Sequence, residues 1–317
     1  MKLQRFALAL AGVGLLAASA ASVPAAATGQ ADPKPNFSDK VAKPQSVRAT
    51  AVSAACQAWI GVPTAAGTMQ EIDATAGKPP AGYSWEPFAY VGTRANATWY
   101  GAVNATGTQY YYYGLLLQGA NLYRHTTYLP DEGDPKPTFK KIGPGWTTFK
   151  SIATSNYSVA QPRHAYLYGL NTNGSLYRYQ MVGTGFRSLG PLPGFKGFKT
   201  MTVISETATY DTLLMTTNAG ALWTVRIPIA AGAKPVLKLI RSSGWAAYES
   251  LVVEGCGTRG GSLVAGVDND TQSGYLYAMS KANGAATAIT SYGKIPGVFN
   301  GVNHVSLTTH YSQLVGE

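Results

Sequence analysis

Between residues 149 and 189 the chain reads as four short runs of apolar or alternating side chains separated by turn signals. Residues 149–154 form the first run, and Ala165-Tyr166-Leu167-Tyr168-Gly169-Leu170 forms the second. Asn171-Thr172-Asn173-Gly174 follows, a hairpin signal because Asn and Gly adopt positive φ at little cost. Leu176-Tyr177-Arg178-Tyr179-Gln180-Met181 alternates large with polar side chains, and Phe186-Arg187-Ser188-Leu189 is a weaker fourth run. Period-two runs of this length are strands. Four antiparallel strands in about 50 residues is the size of one propeller blade.

The unit recurs. A glycine, an aromatic, two residues and a second large apolar residue appear as Gly145-Trp146-Thr147-Thr148-Phe149, Gly194-Phe195-Lys196-Gly197-Phe198 and Gly244-Trp245-Ala246-Ala247-Tyr248. An earlier copy opens at Gly82-Tyr83-Ser84-Trp85 and a degraded one at Gly297-Val298-Phe299. The five glycines are 63, 49, 50 and 53 residues apart. A second landmark, a small turn followed by Leu and an aromatic, ends in Leu122-Tyr123, Leu176-Tyr177, Leu222-Trp223 and Leu276-Tyr277, with leucines 54, 46 and 54 residues apart. Two independent landmarks with one period define a repeat protein, a regularity that a single irregular β-sandwich does not predict.

The ends of the chain set the count. After Gly297 only one strand remains, Asn303-His304-Val305-Ser306-Leu307-Thr308-Thr309. Near the other end, Cys56-Gln57-Ala58-Trp59-Ile60-Gly61-Val62 matches a second strand, and Met69 lies 53 residues before Leu122. The last blade is therefore shared by both termini, which closes the ring without an open sheet edge. The expected fold is all-β: a five-bladed propeller of four-stranded antiparallel blades. Its repeats fall at about 82–144, 145–193, 194–243 and 244–296, with 297–317 joined to 52–81 in one domain.

Composition agrees, with 36 Gly, 18 Pro and 20 Tyr, and only 13 % charged residues. Lys2 and Arg5 precede an apolar run over residues 6–18 and small residues with cleavage sites after Ala20 or Ala27. Residues 1–27 read as a signal peptide, its apolar run too short to span a bilayer. Residues 28–51, rich in Pro, Lys, Asp, Gln and Ser, read as a flexible leader. The mature protein is expected to be secreted, with no transmembrane segment. Loss of Lys2 and Arg5 lowers the formal charge from +10 to +8. That favours anionic surfaces such as phosphate-bearing wall polymers. No run of five basic residues exists, which argues against a dedicated nucleic-acid site.

Cys56 and Cys256 are the only cysteines. In an exported chain they are expected to pair, a loop closure worth about 4–5 kcal/mol in the chain-entropy model. The repeat alignment puts both on the same rim in adjacent blades. No metal site or cofactor is expected, since two cysteines without histidine-rich spacing make a poor ligand set.

Enzymatic signatures are missing: there is no HExxH, Gly-x-Ser-x-Gly or Walker-type loop. His125 and His164 read as surface residues at strand ends, while His304 and either Thr308 or Thr309 lie on an innermost strand, in positions open to the central channel, which alone is not a catalytic set. Asp131, Glu132 and Asp134 cluster in a solvated loop that accounts for the long first unit. Asp268-Asn269-Asp270 is part of a calcium-loop pattern but lacks its Gly and distant Glu, so a hairpin turn explains it better.

The repeated aromatics carry the functional reading. Tyr83, Trp146, Phe195 and Trp245 occupy one landmark position and Tyr123, Tyr177, Trp223 and Tyr277 the other. They either fill the wedge between blades or line inter-blade grooves, where flat rings stack on the C–H faces of sugars and nearby polar groups bond the hydroxyls. Repeated sites would raise avidity.

Gly145-Trp146-Thr147-Thr148-Phe149-Lys150, Ala165-Tyr166-Leu167-Tyr168-Gly169-Leu170 and Gly174-Ser175-Leu176-Tyr177 together resemble a tachylectin-type repeat, Gly-Trp-x-x-Phe followed by Leu-Tyr-Gly-Val and a Leu-Tyr strand. The resemblance covers about residues 55–317 and implies a five-bladed propeller lectin that binds N-acetylated amino sugars. That family's Asp-Asn-Trp stretch is missing here, where residues 183–189 read Gly-Thr-Gly-Phe-Arg-Ser-Leu. The fold carries over better than the ligand. The expected function is a secreted, non-enzymatic, carbohydrate-binding propeller acting as a monomer, with glycans or cell-wall polymers as partners. The alternative is a propeller for protein interaction or wall association without a sugar site.

Overall fold

The computed structural model describes residues 56–85, 88–89, 97–104, 110–129, 136–256, 261–301, 303–307 and 313–317. The expected signal peptide (1–27) and leader (28–51), the Asp131–Glu132–Asp134 cluster, Thr308, Thr309 and His310 lie outside them. The described chain is all-β, with five antiparallel sheets.

Blade 1 holds β5 (Ala97–Asn104), β6 (Tyr110–Gln118), β7 (Asn121–Leu129) and β8 (Lys136–Pro144). Blade 2 holds β9 (Phe149–Tyr157), β10 (His164–Asn171), β11 (Leu176–Val182) and β12 (Gly185–Leu192). Blade 3 comprises β13 (Phe198–Glu206), β14 (Tyr210–Thr217), β15 (Leu222–Pro228) and β16 (Val236–Arg241). Blade 4 comprises β17 (Ser250–Cys256), β18 (Gly261–Asp268), β19 (Ser273–Met279) and β20 (Ile289–Lys294). The fifth sheet runs β21 (Val305–Ser306), β1 (Gln57–Pro63), β2 (Thr68–Thr75), β3 (Ala81–Ser84), with β4 (Phe88–Ala89) also paired to β2. The C-terminal β21 joins the N-terminal β1 in antiparallel register, Gly61 opposite Val305. The inner strands β5, β9, β13, β17 and β21 touch in that order and close the ring.

Burial follows position along the blade. The second strand β10 is buried almost throughout because neighbouring blades cover both faces, β11 is fully buried only at Leu176 and Tyr179, and the outer β12 is half-buried to exposed. Buried apolar side chains form five clusters, one at each blade interface. Tyr166, Tyr168 and Leu170 of β10 face blade 3, while Leu167 on the other face packs with Leu115 and Leu117 of blade 1. The expected Asn171–Gly174 turn is present: Asn171 Oδ1 accepts the Asn173 N–H, Asn173 Oδ1 accepts the Ser175 N–H, and Gly174 sits at φ 85°.

Two landmark copies shift against the sequence alignment. The Trp146, Phe195 and Trp245 N–H groups each donate to a carbonyl of the preceding blade's inner turn, at Ala120, Gly174 and Gly220. In the last interval Ile295 makes the equivalent bond, to Gly274, and is fully buried, whereas Val298 is 56 % exposed. Gly82 and Tyr83 lie on the outer strand β3, not on the connector that the other copies form. Among the described residues of the expected final strand, 303–307, β21 covers Val305–Ser306.

Two histidine assignments change. His125 lies within β7 and is fully buried, and His164 opens β10 in a buried position. Burial holds His125 and His304 well below the ordinary imidazole range, both at about 3, so both are neutral. His304 packs on Phe299 at 5.6 Å, so it belongs to the core and does not face a channel.

Cys56 and Cys256 are disulfide-bonded across a Cα–Cα distance of 5.3 Å, joining the start of β1 to the end of β17 in the adjacent blade. After β21 the chain returns to blade 3. Glu206 N–H donates to Leu314 O, Gly316 N–H to Ile204 O, and Glu317 pairs with Arg226 at 3.0 Å.

Candidate functional site

The two aromatic series meet at the blade interfaces with different exposures. Trp146, Phe195 and Trp245 are 5 %, 2 % and 6 % exposed and fill the wedges between blades. Trp146 lies 4.5 Å from Phe149 and 5.3 Å from Tyr179, and Trp245 lies 4.9 Å from Tyr277. Above them Tyr123, Tyr177, Trp223 and Tyr277 are half-buried, each packed against a cluster shared with the preceding blade. The Tyr177 hydroxyl accepts a hydrogen bond from Asn173 Nδ2 at 3.2 Å, and the Tyr277 hydroxyl bonds that of Tyr248.

Tyr83 differs. Its ring is 58 % exposed and stands edge-on to Trp85 at 4.8 Å. The Trp85 indole N–H donates to Asp73 Oδ2 at 2.8 Å. The other Asp73 oxygen, Oδ1, is shielded from water without a hydrogen-bond partner. The β2–β3 register places Asp73 directly opposite Tyr83, and the backbone N–H of Trp85 donates to Glu71 O, extending the pairing by one residue beyond Ser84. Side-chain alternation puts Ile72 in the cluster shared with blade 4. Met69, Glu71 and Asp73 therefore face blade 1. On blade 1, Tyr123 packs against the cluster that contains Met69, and its cross-strand partner Lys141 is exposed. The result is a ledge of two aromatic rings and a carboxylate on the face of the shared blade turned towards blade 1. Of its members only Tyr83 was a candidate from the sequence. Asp73 and Trp85 carried one readable signal, an acid and an aromatic placed symmetrically about the Lys78-Pro79-Pro80 turn.

A second polar cluster is sealed between blades 2 and 3. The Asp211 carboxylate accepts from the Tyr168 hydroxyl at 2.7 Å and the Ser155 hydroxyl at 2.5 Å, and pairs with His164 Nε2 at 2.9 Å. Ser155 bonds the aspartate and not the imidazole, so no serine–histidine relay is assembled. Glu206, directly opposite Asp211 in register, accepts the Asn156 N–H and Gln313 Nε2. Burial pushes its carboxyl up to about 7, with the Asn156 N–H opposing. This cluster joins blades and holds the C-terminal segment.

No group of three or more His, Cys, Asp or Glu among the described residues is arranged to hold a metal ion. Asp268 Oδ1 accepts the N–H groups of Asp270 and Thr271, the hairpin turn expected there. No helix among the described residues is long and apolar enough to cross a membrane.

The fold and site define a five-bladed propeller with an aromatic ledge on its shared blade. The chain matches no protein-family model, and no curated protein matches it in sequence. Among solved structures it is similar to the lectin of Aleuria aurantia in complex with Fucα1-6GlcNAc, with a TM-score of 0.42 and 12 % identity over 76 % of this chain and 79 % of that one. Another structure of that lectin, described as six-bladed with a novel fucose recognition mode, gives a TM-score of 0.43 at 12 % identity, covering 77 % of this chain and 80 % of that one. AofleA from Arthrobotrys oligospora gives 0.37 at 13 % identity, covering 77 % and 90 % respectively.

Proposed function

We propose that this protein is a secreted, non-enzymatic propeller that binds carbohydrate, with one site on the Asp73–Tyr83–Trp85 ledge. The observation that carries this reading is the exposed Tyr83 ring braced by Trp85, beside a carboxylate that Trp85 itself orients. A rigid aromatic face stacks on the C–H surface of a pyranose, and a fixed carboxylate accepts its hydroxyl protons. The remaining half-buried aromatics, Tyr123, Tyr177, Trp223 and Tyr277, are secondary candidates in the other grooves, with amino-sugar-containing glycans as the expected ligand class. Secretion is supported by the disulfide together with the basic, apolar and small-residue order of residues 1–27.

Binding of the purified protein to a panel of immobilised glycans tests this directly. Retention of at least one glycan, weakened about tenfold or more by Tyr83→Ala or Trp85→Ala in a folded variant, is expected. Retention of none would remove the reading. A protein-contact role is favoured by one observation, the exposed Val236, Leu237 and Leu239 on the outer strand β16. It becomes the better account if no glycan is held.

A further inference from the structure

We infer that residues 313–317 are a latch that the propeller binds as it would a peptide, and that the seat they fill recognises extended chains of the pattern Gln-Leu-x-Gly-Glu. The inner strand β13 pairs with β14 along one edge, and no strand of its blade covers the other. Residues 313–317 lie along that second edge. Ser205 and Val315 form an antiparallel bridge, Glu206 N–H donates to Leu314 O at 2.9 Å, and Gly316 N–H donates to Ile204 O at 2.8 Å. This is strand addition, in which backbone bonds give affinity and alternate side chains give selectivity.

The side chains alternate accordingly. Leu314 is buried in the cluster between blades 2 and 3, whereas Val315 is 44 % exposed. Gly316 is buried where blades 3 and 4 meet, and its carbonyl accepts the Ala282 N–H at 2.7 Å. A Cβ on Gly316 would sit 2.7 Å from Ile204 O and closer still to Ser262 Oγ, so a side chain there does not fit. Both ends are anchored. Gln313 Oε1 accepts the Ser158 N–H, and its Nε2 donates to Asn156 O and to the Glu206 carboxylate. The Glu317 side chain is 4 % exposed, held by Arg226 through Nε at 3.2 Å and Nη2 at 3.0 Å and by the Thr212 hydroxyl. A forked arginine–carboxylate pair adds direction to strength. Four of the five residues are thus read by their surroundings. Yet Leu314 is the one apolar side chain the segment buries, so it can lift without unfolding the blade. The edge of β13, the glycine-sized gap and Arg226 then accept the same pattern from another chain.

The test uses the full chain carrying Gly316→Val, which removes the fit at the gap and is expected to free the segment. Amide hydrogen exchange should then rise about tenfold or more at Glu206 and Ala282, whose N–H groups the segment's carbonyls accept, with β14 and β15 unchanged. A synthetic peptide, Gln-Leu-Val-Gly-Glu with both ends capped, is expected to restore protection at both amides. The same peptide with Val in place of Gly, or Gln in place of Glu, should fail to do so at equal concentration. No protection by the first peptide, or equal protection by all three, would overturn the inference. So would unchanged exchange at Glu206 and Ala282, or a rise shared equally by β14 and β15, which would make the segment part of the cooperative unit of blade 3. If Gly316→Val does not fold, Glu317→Gln takes its place with the same readouts and the same peptides, since it loosens the anchor and leaves the seat intact.

Discussion

The Phe149 ring lies over Gly169 so closely that a Cβ on that glycine would sit 2.7 Å from two ring carbons. Tyr248 covers Gly266 in the same way in blade 4. In blades 2 and 4 the fourth residue after the landmark glycine folds back onto its own blade, over a second-strand glycine that has no side chain to clash with it; β14 of blade 3 has no glycine, although Phe198 occupies the same landmark position. Gly169→Ala is expected to destabilise the protein by about 1–3 kcal/mol, because Trp146, Tyr177 and Tyr179 hold the Phe149 ring in place. Chemical denaturation would show it as a lower midpoint with an unchanged slope.

Trp146 and Tyr83, equivalent in the sequence alignment, are expected to separate by assay. Trp146→Ala removes a wedge from the interface of blades 1 and 2 and should cost about 3–5 kcal/mol, as should Trp245→Ala between blades 3 and 4. Tyr83→Ala should leave stability within about 0.5 kcal/mol, since most of its ring already faces water. Thermal melts alongside glycan binding measure both effects. Loss of binding in a Tyr83→Ala variant that melts early would count against the ledge.

Glu206 makes stability depend on pH. Its folded pKa of about 7 lies above the ordinary 4.5, so the folded protein binds the proton more tightly than the unfolded chain. Its stabilising effect is present below the ordinary value and is lost as pH rises through the folded one. A decline of order 3 kcal/mol across that window is expected; burial is its main cause, the charge of Asp211 opposite adds to it, and His164 nearby opposes it. Melting temperatures measured across the window should fall for the wild type and stay flatter for Glu206→Gln. An equal slope in both would show that another group is responsible.

The Cys56–Cys256 bridge closes a loop of 200 residues across the seam between blade 4 and the shared blade. Replacing both cysteines by serine should cost about 2–5 kcal/mol, mainly by freeing the unfolded chain. Unfolding with and without reductant measures it. A reductant effect on the double variant would point to some other cause.

The period, the strands and the blade count were legible in the sequence because they are local. Alternation, Asn-Gly turns and the constant spacing of two landmarks depend on residues near one another, and the split last blade follows from what each end lacks. The cysteine pairing was legible for a related reason, since aligned repeats convert sequence position into a place on the ring. Exposure of the aromatics was decided only by tertiary structure. Tyr83 and Trp146 share a local pattern, yet one lies on an outer strand and the other between two blades. Val298 was replaced in the wedge by Ile295 because the register of β19 with β20, not the motif, decides which side chain points inward. His125 and His164 looked like strand-end residues until the neighbouring blades covered them. The candidate site was the least legible of all: Asp73 and Trp85 meet only because the turn at Lys78-Pro79-Pro80 folds β3 back on β2.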